Sequence, residues 1–217
     1  MKKKLIQFFT ISLVIIAALG ITVFVIVDKP LPAGTLGPEA EELADEMLKA
    51  INKEGYDTLS YIEFVFRNSH YHKWDKKNNA VVVKWEDQEI YLDLNRKMET
   101  FNLLELQAYE YFINDSFWVV APYKVRDPGV IRSTVEVDNG RGLLITYSTG
   151  GLTPGDSYLW ILDENGFPKA WKLWTSNIPV GGLEFSWDGW VIMNDVWFSN
   201  LHEGLFINVP VEVLSVR

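Results

Sequence analysis

The sequence predicts an α+β fold: a single N-terminal transmembrane helix, then a strongly curved antiparallel β-sheet, an unclosed barrel, with about two packed helices. Three observations lead there. The run from Leu5 to Val27 is 23 residues long and carries no charge. Beyond it, period-two apolar alternation recurs along the chain and gives way to helical spacing at two places. Finally, SYLWILDENGFPKAWKLW (Ser157 to Trp174) reads as a hairpin whose first strand is apolar on both faces. A strand with one side in water needs only one apolar face, so something must cover both sides of this one.

The apolar run is long enough for a membrane. As a helix it reaches about 34 Å, slightly more than the ~30 Å hydrocarbon core of a bilayer. A signal peptide has a shorter apolar region, about 7–15 residues, followed by a small-residue cleavage site. Here Ala17-Ala18-Leu19-Gly20 is followed by the still apolar ITVFVIV, and the chain has no cysteine to accept a lipid. Lys2, Lys3 and Lys4 precede the run, while Asp28 and Lys29 cancel after it. The positive-inside rule then makes residues 1–4 a cytoplasmic tail and 5–27 a single-pass inner-membrane span. The folded domain falls on the extracytoplasmic side, the periplasm in a bacterium.

The remaining residues suit one domain over 38–217, joined to the span by a Pro/Gly-rich linker over 28–37. The composition is 48% hydrophobic and 14% aromatic, with 9 Trp and 12 Phe, enough apolar bulk for a sizeable core. Formal charge is −9, and about −12 without the three leader lysines, which argues against a nucleic-acid partner. Without cysteine there are no disulfides, thiolate metal sites or cysteine nucleophiles.

Element by element, Pro38 to Gly55 reads as an amphipathic helix with Pro in its first turn and Leu43, Met47, Ala50 and Ile51 on one face. Strands follow at Tyr61–Arg67, His70–Asp75, Ala80–Glu86 and Glu89–Asn95. A second helix runs from about Asn102 to Phe117, where Leu104, Ala108, Tyr111 and Phe112 share helical spacing. After Pro128-Gly129 the alternation returns at Ile131–Val137, Gly142–Ser148, Ser157–Leu162, Ala170–Thr175, Leu183–Trp187, Trp190–Met193 and Leu205–Val216. Asp188-Gly189, between Trp187 and Trp190, has the composition of a two-residue hairpin. Pro210 marks the last strand as an edge or a bulge site. A curved sheet built this way makes a cup, with helices or loops on its convex side where both faces are apolar.

Few residues carry chemistry. His70-x-His72 places two imidazoles on one side of a strand, with Glu63, Asp75 or His202 as candidates to complete a metal site. The spacing lacks any supporting frame, so neither a metal nor another cofactor is expected. Asn114-Asp115-Ser116 has no evident base and reads as the end of a helix. Gly150-Gly151 and Gly181-Gly182 read as turns, not phosphate loops. The aromatic set stands out: Phe64, Phe66, Trp85, Trp160, Trp171, Trp174, Phe185 and Trp187 fall on strand faces that should meet inside the cup. They are either packed core or the lining of an apolar cavity, with Arg67 or Lys172 near its mouth for a headgroup.

The chain also resembles known proteins. NDSFWVVAPYKVRDPG (Asn114–Gly129), SYLWILDENGFPKAWKLW, HYHKWD (His70–Asp75) and PVGGLEFSWDGW (Pro179–Trp190) look like a family of membrane-anchored bacterial envelope proteins. That family is similar in architecture to the LolA/LolB-like lipoprotein carriers, and the resemblance covers about residues 38–216. It implies an unclosed β-barrel and no catalytic residues. The carriers proper are soluble or lipid-anchored, so a helical anchor departs from a shuttle. The resulting expectation is a non-catalytic envelope protein that binds a lipid or lipoprotein acyl chain in the cup. The alternative is a scaffold with a filled core that docks an envelope protein partner. A third reading, a metal-dependent hydrolase, has only the spacing of His70 and His72 behind it.

Overall fold

A computed structural model of the chain describes residues 27–149 and 152–217. The expected cytoplasmic tail and all but the last residue of the expected span lie outside the described residues. Among the described residues, no helix is long and apolar enough to cross a membrane.

The chain opens with helices α1 (Pro38–Ala50) and α2 (Lys53–Thr58), then strands β1 (Tyr61–Phe66), β2 (His70–Asp75), β3 (Ala80–Trp85) and β4 (Gln88–Asp93). Helix α3 (Leu103–Val120) follows, and then β5 (Val130–Val135), β6 (Arg141–Tyr147), β7 (Ser157–Leu162), β8 (Pro168–Trp174) and β9 (Leu183–Ser186). Four strands close the chain: β10 (Val191–Met193), β11 (Val196–Phe198), β12 (Leu201–Glu203) and β13 (Asn208–Val216). They form a six-stranded sheet in the order β12-β13-β1-β2-β3-β4, a five-stranded meander β5 to β9, and the small hairpin β10-β11. All pairings are antiparallel, and no sheet closes on itself. Bridges Phe185↔Gly204 and Asp188↔Leu201 bring β9 against β12, so the two large sheets meet along one border.

The helices show how local chemistry sets boundaries. The single helix expected over Pro38–Gly55 is split, because Asn52 adopts φ 60°, ψ 60° and cannot continue α1. Its side chain then accepts from the Gly55 N–H and starts α2. Helix α3 opens with a full capping box: Asn102 Oδ1 accepts from the Leu104 and Glu105 N–H groups, while the Glu105 carboxylate accepts from Asn102 N–H. It runs three residues past the expected Phe117 and stops before the Pro122 turn. Asn114, Asp115 and Ser116 therefore lie inside the helix, not at its end.

The hairpins give one success and one correction. Asp163 to Gly166 does join β7 and β8: Asp163 Oδ1 accepts from the Asn165 and Phe167 N–H groups, and Gly166 takes φ 79°. Asp188-Gly189 does not make a hairpin. Only Gly189 has positive φ, and Asp188 bridges to Leu201 instead of turning the chain back. The two-residue turn lies six residues later, at Asn194 (φ 50°) and Asp195 (φ 61°), and pairs β10 with β11. Pro210 is not on an edge either, since β13 lies between β12 and β1. It sits one position beyond the last β1 pair, Phe66↔Val211, so its missing N–H falls where β1 has ended. The bulge is at Leu214, between the pairs Glu63↔Ser215 and Phe64↔Val213.

Residues 28–35 are not a free linker. Lys29 N–H donates to Gly181 O (2.9 Å), Trp174 Nε1 donates to Lys29 O (2.8 Å), and Asp28 Oδ1 accepts from Gly181 N–H (2.8 Å). Thr35 exchanges two backbone hydrogen bonds with Thr134 on β5. Between these points the segment crosses the outer face of the five-stranded sheet as a strap. A Cβ on Gly34 would meet Ser133 Oγ at 2.0 Å, and Leu144 lies within van der Waals reach. This strap answers the puzzle of the doubly apolar hairpin. Trp160 and Leu162 point inward to the core, while Leu159 pairs across the outer face with Leu144, and both are buried.

Helix α1 then enters on the inner side of that sheet. Leu43, Ala44, Met47, Leu48 and Ile51 join the main core. Glu41 accepts from the Arg126 and Arg132 guanidinium groups, which pin the helix to β5 and hold its carboxyl below the usual range.

Candidate functional site

Helix α3 divides the interior. Its N-terminal half packs Ala108 and Phe112 against Val81, Val83, Trp85 and Leu92 of the six-stranded sheet. Its C-terminal half turns toward the five-stranded sheet, and between them lies a cavity of about 580 Å³. Period-two alternation brings Tyr147, Tyr158, Trp171 and Leu173 to the inner face of β6, β7 and β8, where they form one wall. Phe112, Ile113 and Phe117 of α3 form the opposite wall, with Trp74 and Ile178 at the sides. The rings are mutually packed: Phe117 lies 5.0 Å from Tyr158 and 5.7 Å from Trp171 between centroids.

Polar groups gather at the mouth. The Lys124–Asp127 ion pair, Thr149, Thr153 and Asn177 border the opening. Asp156 is buried there and accepts from the Ser176 N–H (2.9 Å) and the Thr153 hydroxyl, so it ties the loop after β6 to the loop after β8. Burial pushes the Tyr147 and Tyr158 phenols above their usual range, and both stay neutral. Among the described residues, three buried polar atoms of lining residues have no partner: Trp74 Nε1, Trp171 Nε1 and Thr175 Oγ1. A buried N–H without an acceptor is costly.

Of the aromatic residues expected to line the cup, Trp171 alone borders this cavity. Phe64, Phe66, Trp160, Phe185 and Trp187 fill the main core, and Trp85 the smaller one. The physical reason is that the cup contains helices: Trp118 of α3 inserts against Trp171 and Phe185, 5.1 Å from each ring, and leaves no space between those faces. Trp174 points to the outer face and holds the strap. Lys172 is also on that face, paired with Glu184 at 3.4 Å, and Arg67 is exposed in the β1–β2 turn. Neither cation borders the cavity. The lining residues missed in the sequence, Tyr158 and Phe117 above all, had a signal in one case: Tyr158 shares a face with Trp160 by alternation. Phe117 had none, because only the angle of α3 aims it.

His70 and His72 do lie on one side of β2, but none of the residues expected to complete a metal site joins them. Glu63 is on the outer face and accepts from the Tyr61 and Tyr71 hydroxyls, Asp75 caps the turn after β2, and His202 is buried elsewhere against Trp187. Their partner is Asp115 of α3, whose Oδ2 meets His70 Nδ1 and His72 Nε2 at 2.8 Å each. The three atoms lie within 4.8 Å of one another, close enough for one ion. Yet His72 Nδ1 is buried without a partner, whereas a ligating imidazole ordinarily donates its second N–H. Burial also favours the neutral form of His72. The arrangement is best described as a hydrogen-bonded bridge that fixes α3 to β2, and so fixes one wall of the cavity.

Comparison with protein-family models and with curated proteins finds no match.

Proposed function

We propose that this chain is a membrane-anchored, non-catalytic envelope protein that binds an apolar ligand, a lipid or a lipoprotein acyl chain, inside an unclosed barrel of the LolA/LolB-like kind. The cavity between α3 and the inner face of β6–β8 carries the reading. Its volume falls in the range of ligand sites, its walls carry aromatic and aliphatic side chains, and its polar lining includes Glu110 and Asp156 beside the Lys124–Asp127 pair. Each methylene buried there contributes about 0.8 kcal/mol, offset by the ordering of the chain. Leu5–Val27 would hold the domain at the inner membrane with the N-terminus in the cytoplasm. The scaffold reading draws on the filled part of the interior around Phe64, Trp160 and Trp187, and the cavity places it second.

Native mass spectrometry of the full chain, released from mild detergent, tests this directly. The expected result is an extra mass in the lipid range that disappears on denaturation. Thr149→Trp, which fills the mouth from an exposed position, should remove that mass without changing the circular dichroism spectrum. A wild-type chain that arrives bare and takes up neither added fatty acid nor phospholipid overturns the reading in favour of a scaffold.

A further inference from the structure

The hairpin between β12 and β13 ends in Leu205-Phe206-Ile207, and these three apolar side chains are 75%, 65% and 44% exposed. Gly204 N–H donates to Ile207 O, so the tip is an ordered turn. Its place in the fold gives it meaning. The bridge Phe185↔Gly204 sets the tip beside the start of β9, and Gly182 lies three residues before Phe185, about 10 Å along the strand. Gly181 is the residue that grips Asp28 and Lys29. The apolar tip and Asp28, the residue after the Leu5–Val27 run, are therefore at one end of the molecule. The cavity opens there too: Thr175 and Ile178 border it and also contribute to the groove that holds Asp28 to Leu31. Leu31, 47% exposed, adds to the same rim.

We propose that this end is a bilayer-contacting rim, in which Leu205, Phe206 and Ile207 enter the lipid interface and hold the mouth of the cavity against it. The proposal rests on the reading of Leu5–Val27 as a membrane span. The occupant follows from the chain itself, because 23 uncharged residues end at the strap that begins on this rim. A strap hydrogen-bonded at both ends gives the domain little freedom to tumble away, so the face nearest the exit meets the membrane. Charge supports apolar entry over electrostatic attraction, since the chain beyond residue 27 carries about −12 and would be repelled by anionic headgroups. Amphipathic surfaces of this type enter the headgroup region through apolar area, with aromatic side chains at the interface.

The chain lacks cysteine, so a single spin label reports one position. Phe206→Cys and, at the opposite end in the β2–β3 turn, Lys77→Cys would be labelled in the full chain and reconstituted into phosphatidylethanolamine/phosphatidylglycerol vesicles. The label at 206 should collide several-fold more with oxygen, relative to a water-soluble nickel complex, than the label at 77. That ratio should hold when salt is raised. An aqueous label at 206, a ratio that collapses in high salt, or a label immobilised without oxygen access (protein contact) each overturns the rim. Native mass spectrometry of the same samples separates the two readings. Bound lipid with an aqueous label at 206 removes the rim and leaves the cavity reading. An immersed label on a bare chain does the reverse.

Discussion

The two large sheets follow the same alternation rule and treat their outer faces in opposite ways. On the six-stranded sheet the outward residues include Tyr61, Glu63, Tyr71, Lys73, Lys84, Glu89 and Tyr91, with the half-buried Val65 and Val82 among them, a mostly polar surface with small hydrogen-bonded and ionic groups. On the five-stranded sheet the outward set includes Leu144 and Leu159, both buried, and the strap from Lys29 to Thr35 passes over Leu144 at Gly34. Their inner faces differ as well. The six-stranded sheet is covered over β3 and β4 by the N-terminal half of α3 and over β1 and β13 by the main core, whereas the five-stranded sheet is filled at Trp160 and open at Tyr158, two residues apart on one strand. A residue's face is set by the strand, but its role is set by what arrives to cover that face.

Substitutions can break this contrast. Trp160→Ala removes a ring packed 5.0 Å from Trp171 and 4.9 Å from Trp187 and should cost about 3–5 kcal/mol in chemical denaturation. Leu159→Ala should cost about 2–5 kcal/mol if the strap covers it, while Tyr91→Ala on the outer face of the other sheet should stay within about 0.5 kcal/mol. Equal small effects for both would mean that the strap does not shield its sheet.

The border between the sheets should also respond to acid. His202 is buried between Trp118 and Trp187, donates through Nδ1 to Ser186 O, and burial lowers its pKa to about 4. The unfolded chain takes up that proton near pH 6.5, so stability is complete above that value and falls as the pH drops toward 4. The loss is about 3 kcal/mol by linkage, with His72, also held neutral by burial, acting in the same direction. Urea midpoints of wild type and His202→Gln between pH 7 and pH 4 would check it: the variant should show the shallower decline. A smaller effect sharpens the strap itself. Gly34→Ala places a methyl group into Ser133 and should cost about 1–3 kcal/mol, with faster amide exchange at Thr35 and Thr134.

Much of the fold was legible in the chain. The β2 and β7 boundaries, the hairpin at Asp163–Gly166 and the two helical regions follow from alternation, turn chemistry and capping. Strands β11 and β12 were not legible: each has three residues, and the turn that makes β11 a hairpin partner of β10 lies at Asn194-Asp195, not at the expected Asp188-Gly189. The cavity was legible only as an excess of aromatic residues. His70 and His72 drew notice by spacing, but their partner, Asp115, lies more than forty residues away on another element.

By itself, the sequence determined which side chains share a face, the turn at Asp163–Gly166 and that one hairpin needed cover on both sides, since backbone periodicity and local hydrogen bonds act over a few residues. Tertiary structure alone decided that residues 28–35 supply that cover, that α3 fills one half of the interior and walls a cavity in the other, and that the apolar tip at Phe206 stands beside the chain's exit. Those outcomes depend on the angle and distance between elements far apart in the chain, and no spacing within a strand or helix encodes them.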